Sequence, residues 1–220
     1  MALTKFNYNS FDLTTAASTG LAFNSSANGF ETSTSGNMTL IKTLTASSSS
    51  TLSFLNGSDS VVFDSTYPVY LFKYINVHPA TNAATFTFQV DTGTNTSYNT
   101  TVTSTSFLSQ HDEGDSATSL AYNGAKDQAQ GTSFQVLSNE IGNGNDECGN
   151  GEIYFFNPSS STFIKNWLAR ALSYQSDDYI QDRFFAGYFN TTTALTRVQF
   201  KMSSGNIDSG TIKLYGIKDS

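Results

Sequence analysis

The segment "RVQFKMSSGNIDSGTIKLYGIK", Arg197–Lys218, alternates apolar and polar residues on both sides of a Ser/Gly/Asn/Asp turn. Val198, Phe200 and Met202 alternate with Arg197, Gln199 and Lys201, and Ile212 and Leu214 alternate with Thr211, Lys213 and Tyr215. Successive side chains of a strand point to opposite faces, so each half can bury one face and wet the other. The pattern predicts a closing hairpin set inside a sheet, pairing with earlier strands and completing the core.

Most of the chain from Met38 onward reads the same way. "YPVYLFKYINVHP" puts Val69, Leu71, Ile75 and Val77 on one face and Tyr70, Phe72 and Tyr74 on the other. Two apolar faces predict a central strand covered on both sides. "MTLIKTL" is out of step with itself, which predicts an imperfect pleat. Asn56-Gly57 is a hairpin dipeptide between two short strands. "ATFTFQVD" and "SYNTTVTSTSFLS" flank a loop containing Gly93, and "QHDEGDSATSLAYNGAKDQAQG" is a polar excursion. "STFIKNWLARALSYQSDDY" has helix-compatible residues, but its alternation favours a strand. About ten short strands with frequent turns indicate an all-β fold, an antiparallel β-sandwich of jelly-roll-like type.

Residues 1–37 differ, with short apolar spots among Gly, Ser and Asn. They read as an N-terminal extended arm or edge ribbon ahead of a domain spanning residues 38–220. Leu13, Leu21, Phe23 and Phe30 are its candidate contact residues.

Only 13% of residues are charged, and the net charge is −7. A nucleic-acid partner is disfavoured, since phosphate binding needs concentrated Lys and Arg. No apolar run reaches the ~20 residues that span a bilayer, so no membrane role is expected. The N-terminus lacks a signal-peptide pattern, and the single cysteine, Cys148, excludes an internal disulfide. The chain is expected to fold in a cytoplasm.

Motifs with chemistry are sparse. His111 with Asp112, Glu113 and Asp115 forms a base-and-carboxylate pattern, or simply a solvated acidic loop. Asp177, Asp178 and Asp182 offer further carboxylates, and Trp167 and Tyr174 are either a sugar platform or core. "GNGNDECGNGE" supplies oxygen ligands in Asn143, Asn145, Asp146, Glu147 and Glu152, candidates for calcium without the spacing of a known loop. Cys148 beside acids suits neither a reactive thiolate nor zinc. No phosphate or dinucleotide fingerprint occurs. No catalytic residue and no cofactor are expected.

The segments "MTLIKTLTASSSSTLSFLNG", "GEIYFFNPSSSTFIKNWLAR" and above all "MSSGNIDSGTIKLYGI" resemble β-rich structural virion proteins of tailed bacteriophages, common in phages of marine and freshwater bacteria. The resemblance covers about residues 38–218, and "LAFNSSANGFET" is similar to leaders of such proteins. It implies a non-enzymatic capsid decoration (cement) protein on the particle exterior, assembled in the host cytoplasm. Its partners would be other virion proteins, first the major capsid protein. Sheet edges with few guarding charges also predict a homo-oligomer, with a trimer the first expectation because sites on such particles are often threefold. A tail-fibre or receptor-binding module reaching host glycan through the loops Gln110–Gly131 and Glu140–Gly151 is the alternative.

Overall fold

A strand with one apolar face satisfies its backbone in a ladder and buries that face against a second layer. The computed structural model describes residues 20–23, 26, 30–33 and 36–218. The chain divides between Asn37 and Met38 into two units. In the first, β1 (Gly20–Phe23) pairs antiparallel with β2 (Phe30–Ser33), setting Leu21 opposite Thr32 and Phe23 opposite Phe30. Leu13 lies outside the described residues.

The second unit holds β3 (Met38–Thr45), β4 (Leu52–Leu55), β5 (Val69–Pro79), β6 (Phe86–Thr92), β7 (Val102–Asp112), β8 (Thr118–Tyr122), β9 (Gln135–Val136), β10 (Gly149–Phe156), β11 (Lys165–Tyr174), β12 (Tyr179–Phe189), β13 (Leu195–Met202) and β14 (Ile207–Ile217). They form an eight-stranded sheet, β3-β14-β5-β10-β11-β12-β7-β8, and a four-stranded sheet, β4-β13-β6-β9. Every pairing is antiparallel, and no helix occurs among the described residues. The fold is an all-β sandwich. The halves β3-β14-β5-β10 and β4-β13-β6-β9 have the wrapped connectivity of a jelly roll, and the hairpins β7–β8 and β11–β12 widen the first sheet.

Between the two jelly-roll sheets the core is aromatic. Phe72 and Phe155 of the large sheet meet Phe54, Phe88 and Phe200 of the small one at ring separations of 5.3–6.0 Å. Trp167 packs edge-on against Phe88 at 5.2 Å and is buried, so it belongs to the core. Under the added strands the interior turns polar: Gln181, Arg183, Ser173 and Ser106 are all buried.

Several local expectations change. The alternating segments at the C-terminal end do not form a hairpin. β13 pairs with β4 and β6, whereas β14 crosses to the other sheet and pairs with β3 and β5. Both segments have a complete apolar face, and placing them in opposite layers lets Val198 and Phe200 face Ile212 and Leu214 across one core. The turn at Asn56-Gly57 forms, but Val61 and Phe63 are buried outside any ladder. The polar excursion contains strand β8. "IKNWLARAL" is strand β11, its alternation having prevailed over helix propensity.

The imperfect pleat of β3 is a bulge. Leu40 and Lys42 oppose the consecutive residues Tyr215 and Leu214, leaving Ile41 as the extra residue. β5 is central, between β14 and β10, but it is bulged at Ile75–Asn76, where Asn76 adopts a left-handed φ of 50°. The extra residue reverses the alternation, so Val77 joins the interior with Tyr74 while Ile75 stays 40% exposed. On the outer face of β5 Leu71 is buried while Ile75 is open, so the expected cover on both sides holds only for part of the strand. The strand buried on both faces is β6, whose Gln89 and Asp91 are held under the loops that follow: Gln89 donates to the carbonyls of Thr100 and Ser133, and Asp91 accepts from the amide of Tyr98.

Candidate functional site

Antiparallel strands bring alternate loops to one end of a sheet, and here that end collects the predicted polar residues. The end of β5, the start of β14 and the loop before β10 enclose a polar cleft of about 400 Å3 lined by Asn76, His78, Asn145, Asp146, Cys148 and Asp208. The β5 bulge shapes it. Gly210, at φ +118°, lies against the bulge, where a Cβ would come within 2.7 Å of the Asn76 carbonyl oxygen. His78 is fixed by the Gly144 carbonyl at 3.0 Å and lies 3.7 Å from Asp208. Asn150 donates to Cys148 Sγ at 3.3 Å.

Of the calcium candidates, Asn145, Asp146 and Glu147 line this cleft, and Glu147 also folds back to accept the Gly144 amide. The Asn143 amide donates to Asn82. Among the described residues, no three His, Cys, Asp or Glu side chains converge as a metal site.

The carboxylates weighed for catalysis serve local structure. Asp112 accepts the Ser116 hydroxyl at 2.5 Å and the Ala117 amide at 2.7 Å, closing the turn between β7 and β8. His111 contacts Asp115 at 3.1 Å in that turn. Asp182 forms a two-pronged pair with Arg170, at 2.9 and 2.7 Å. Tyr174 donates to Glu113 at 2.8 Å and to Asp178 at 3.3 Å, and the Glu113 carboxylate raises the phenol above its ordinary value.

The Ser116 hydroxyl, followed by the Ala117 amide, holds the Asp112 carboxyl below the usual carboxylate range. A carboxyl whose folded pKa is lowered contributes stability above its unfolded value of about 4 and loses it as pH falls through the folded value. Acidification is expected to release the Ser116 and Ala117 amides before the sandwich opens, read by amide hydrogen exchange at stepped pH. An Asp112→Asn chain should lack that step; the same step in both chains would rule out this carboxyl as its source.

The more extensive surface is one that sequence reasoning missed. The outer face of the eight-stranded sheet, turned away from the core, exposes Met38, Leu40, Ile75, Leu168, Leu172 and Ile180, with Phe107, Leu120 and Tyr122 toward the β8 edge. Phe107 stacks on Phe184 at 4.8 Å, and Arg170 lies 4.9 Å above the Phe184 ring. Charges on this face pair across strands, Lys73 with Glu152 at 3.7 Å and Arg170 with Asp182. The signal is present in the sequence, since "IKNWLARAL" and "YPVYLFKYINV" are apolar on both faces; for the second the pattern points to coverage by another layer, and for the first only to a strand.

Comparisons with protein-family models, with curated proteins and with solved structures each returned no match.

Proposed function

We propose that this chain is a structural contact protein, a capsid decoration protein on the exterior of a tailed-bacteriophage particle, with no catalytic activity. The observation that carries the contact role is the open apolar face of the large sheet. Contiguous exposed apolar surface beyond a few hundred Å2 marks interaction sites, and ten large apolar side chains of the sandwich, each 36–77% exposed, are presented by strands of this sheet. At ~150–250 Å2 per large ring and somewhat less per aliphatic chain, they amount to on the order of 1,000 Å2. That is comparable with the ~800 Å2 each partner contributes to a stable interface. The particle assignment rests on the resemblance of "MSSGNIDSGTIKLYGI" and its companion segments, and another virion protein, first the major capsid protein, is the proposed occupant of the face.

Immunogold labelling of particles with antibody against the purified chain tests the assignment. Label over the heads is the expected result, and particles without label would reject it. Label confined to tails would favour the second reading, a receptor-binding module, which the polar cleft near His78 supports as a place for a glycan. Binding of the purified chain to a glycan array would then follow.

A further inference from the structure

The four edges of the two sheets are not equally guarded. β3 carries a bulge and Lys42, β4 has four residues, and β9 has two. Bulges, edge charges and short length are the usual defences against strand addition. β8, "TSLAY", has none of the first two: it is uncharged, unbulged and exposed along all five residues.

The hydrogen bonding of β8 defines which groups are free. The Asn123 amide donates to the Ser106 carbonyl, and the Asp112 amide donates to the Ala117 carbonyl. Alternation in an antiparallel ladder then assigns Ser119 and Ala121 to β7. The N–H and C=O groups of Thr118, Leu120 and Tyr122 point away from the sheet, and among the described residues they meet no backbone partner outside it. These same residues place their side chains on the apolar outer face, since Tyr122 is opposite Phe107 and Leu120 opposite Ser109.

We infer that β8 pairs antiparallel with β8 of a second copy about a twofold axis at Leu120. In that register Leu120 faces Leu120 of the other copy, and Thr118 faces Tyr122. All outward N–H and C=O groups of these residues are satisfied, the Thr118–Tyr122 pairs are of the favourable aromatic–β-branched kind, and the two Leu120 side chains shield apolar surface from water. The register also brings the Lys126 end of each copy toward the Glu113–Asp115 turn of the other. Asp127, the acid beside Lys126, is already engaged by the Tyr122 hydroxyl. The two large sheets become one continuous sheet, and their apolar outer faces join into one surface. The contact is isologous and closed, so it gives a dimer in place of the expected trimer.

This deepens the self-association part of the proposed function, and the two fail separately, because particle labelling reports location and the following experiment reports the edge. Sedimentation equilibrium of the full chain at micromolar concentration should show a dimer. Leu120→Lys sets like charges opposite each other at the axis and should weaken dimerisation by roughly tenfold or more. Leu120→Pro removes an outward N–H, at an edge position where proline is tolerated, and should act likewise. Both variants should melt close to the parent at low concentration, because neither changes the β7–β8 ladder. Exchange of the Thr118, Leu120 and Tyr122 amides should slow as concentration rises. A monomer across the range, a trimer, or a dimer indifferent to both substitutions would overturn the inference.

Discussion

Phe72→Ala is expected to destabilise the sandwich by about 3–5 kcal/mol, the range for removing a fully buried phenylalanine ring. Phe72 has no exposed surface and contacts rings from both layers: Phe54 and Phe155 at 5.3 Å, Phe200 at 5.6 Å and Phe63 at 6.3 Å. Its loss leaves a cavity between rings that are themselves fixed by further edge contacts, so collapse around it is limited. Urea titration should show a lower midpoint with little change in slope. The same truncation at Phe163, which is 70% exposed, should stay within about 0.5 kcal/mol of the parent. Equal losses at both sites would mean that the aromatic cluster does not bridge the layers.

Arg183→Met is expected to act in the opposite direction and stabilise the protein by on the order of 1 kcal/mol, the low end of the range for replacing buried ion pairs whole by apolar side chains, because a buried acceptor is left behind. The Arg183 side chain is 2% exposed. Its Nε and Nη2 both donate to the single Oε1 of Gln181, at 3.1 and 2.9 Å, and Nη1 has no acceptor among the described residues. Burial pushes the guanidinium below its ordinary value, with Glu140 offsetting part of the effect. Methionine removes the charge and fills similar space, although Gln181 Oε1 loses both of these donors. The melting temperature should rise; a fall would show that the Arg183–Gln181 contacts contribute more than the charge costs.

How much of this was legible in the sequence depended on how local the cause was. Strand identity was local: "IKNWLARAL" has helix formers, but Trp167, Ala169 and Ala171 alternate with Leu168, Arg170 and Leu172, and the pleat separates those sets as buried and open. The bulge in "MTLIKTL" was legible as a pattern out of step. The bulge at Asn76 was not, because Val77 is apolar on either face and nothing near it interrupts the alternation. Sheet membership was not local. β13 and β14 carry matching apolar faces whether they pair beside each other or face each other across a core, and only the other strands decide between the two. For the candidate site, sequence indicated where acids and amides gather but not their partners. Asp182 is neutralised by Arg170 from the next strand, and Asp112 is spent on its own turn.

The position of β14 between β3 and β5 has a consequence for how the molecule is made. The first strand of the sandwich has no ladder until the last one arrives, and β5, made later, also keeps one edge open until then. At ribosomal rates of about 5–20 residues per second, that wait is on the order of ten seconds or more. Two strand edges with unpaired N–H and C=O groups are thus displayed on the nascent chain while the middle strands emerge. Closure depends on contacts of very high sequence separation, which slow folding. Such a chain stays vulnerable to aggregation until synthesis of the sandwich is finished, and holdase chaperones that shield exposed strands should raise its yield more than faster translation does.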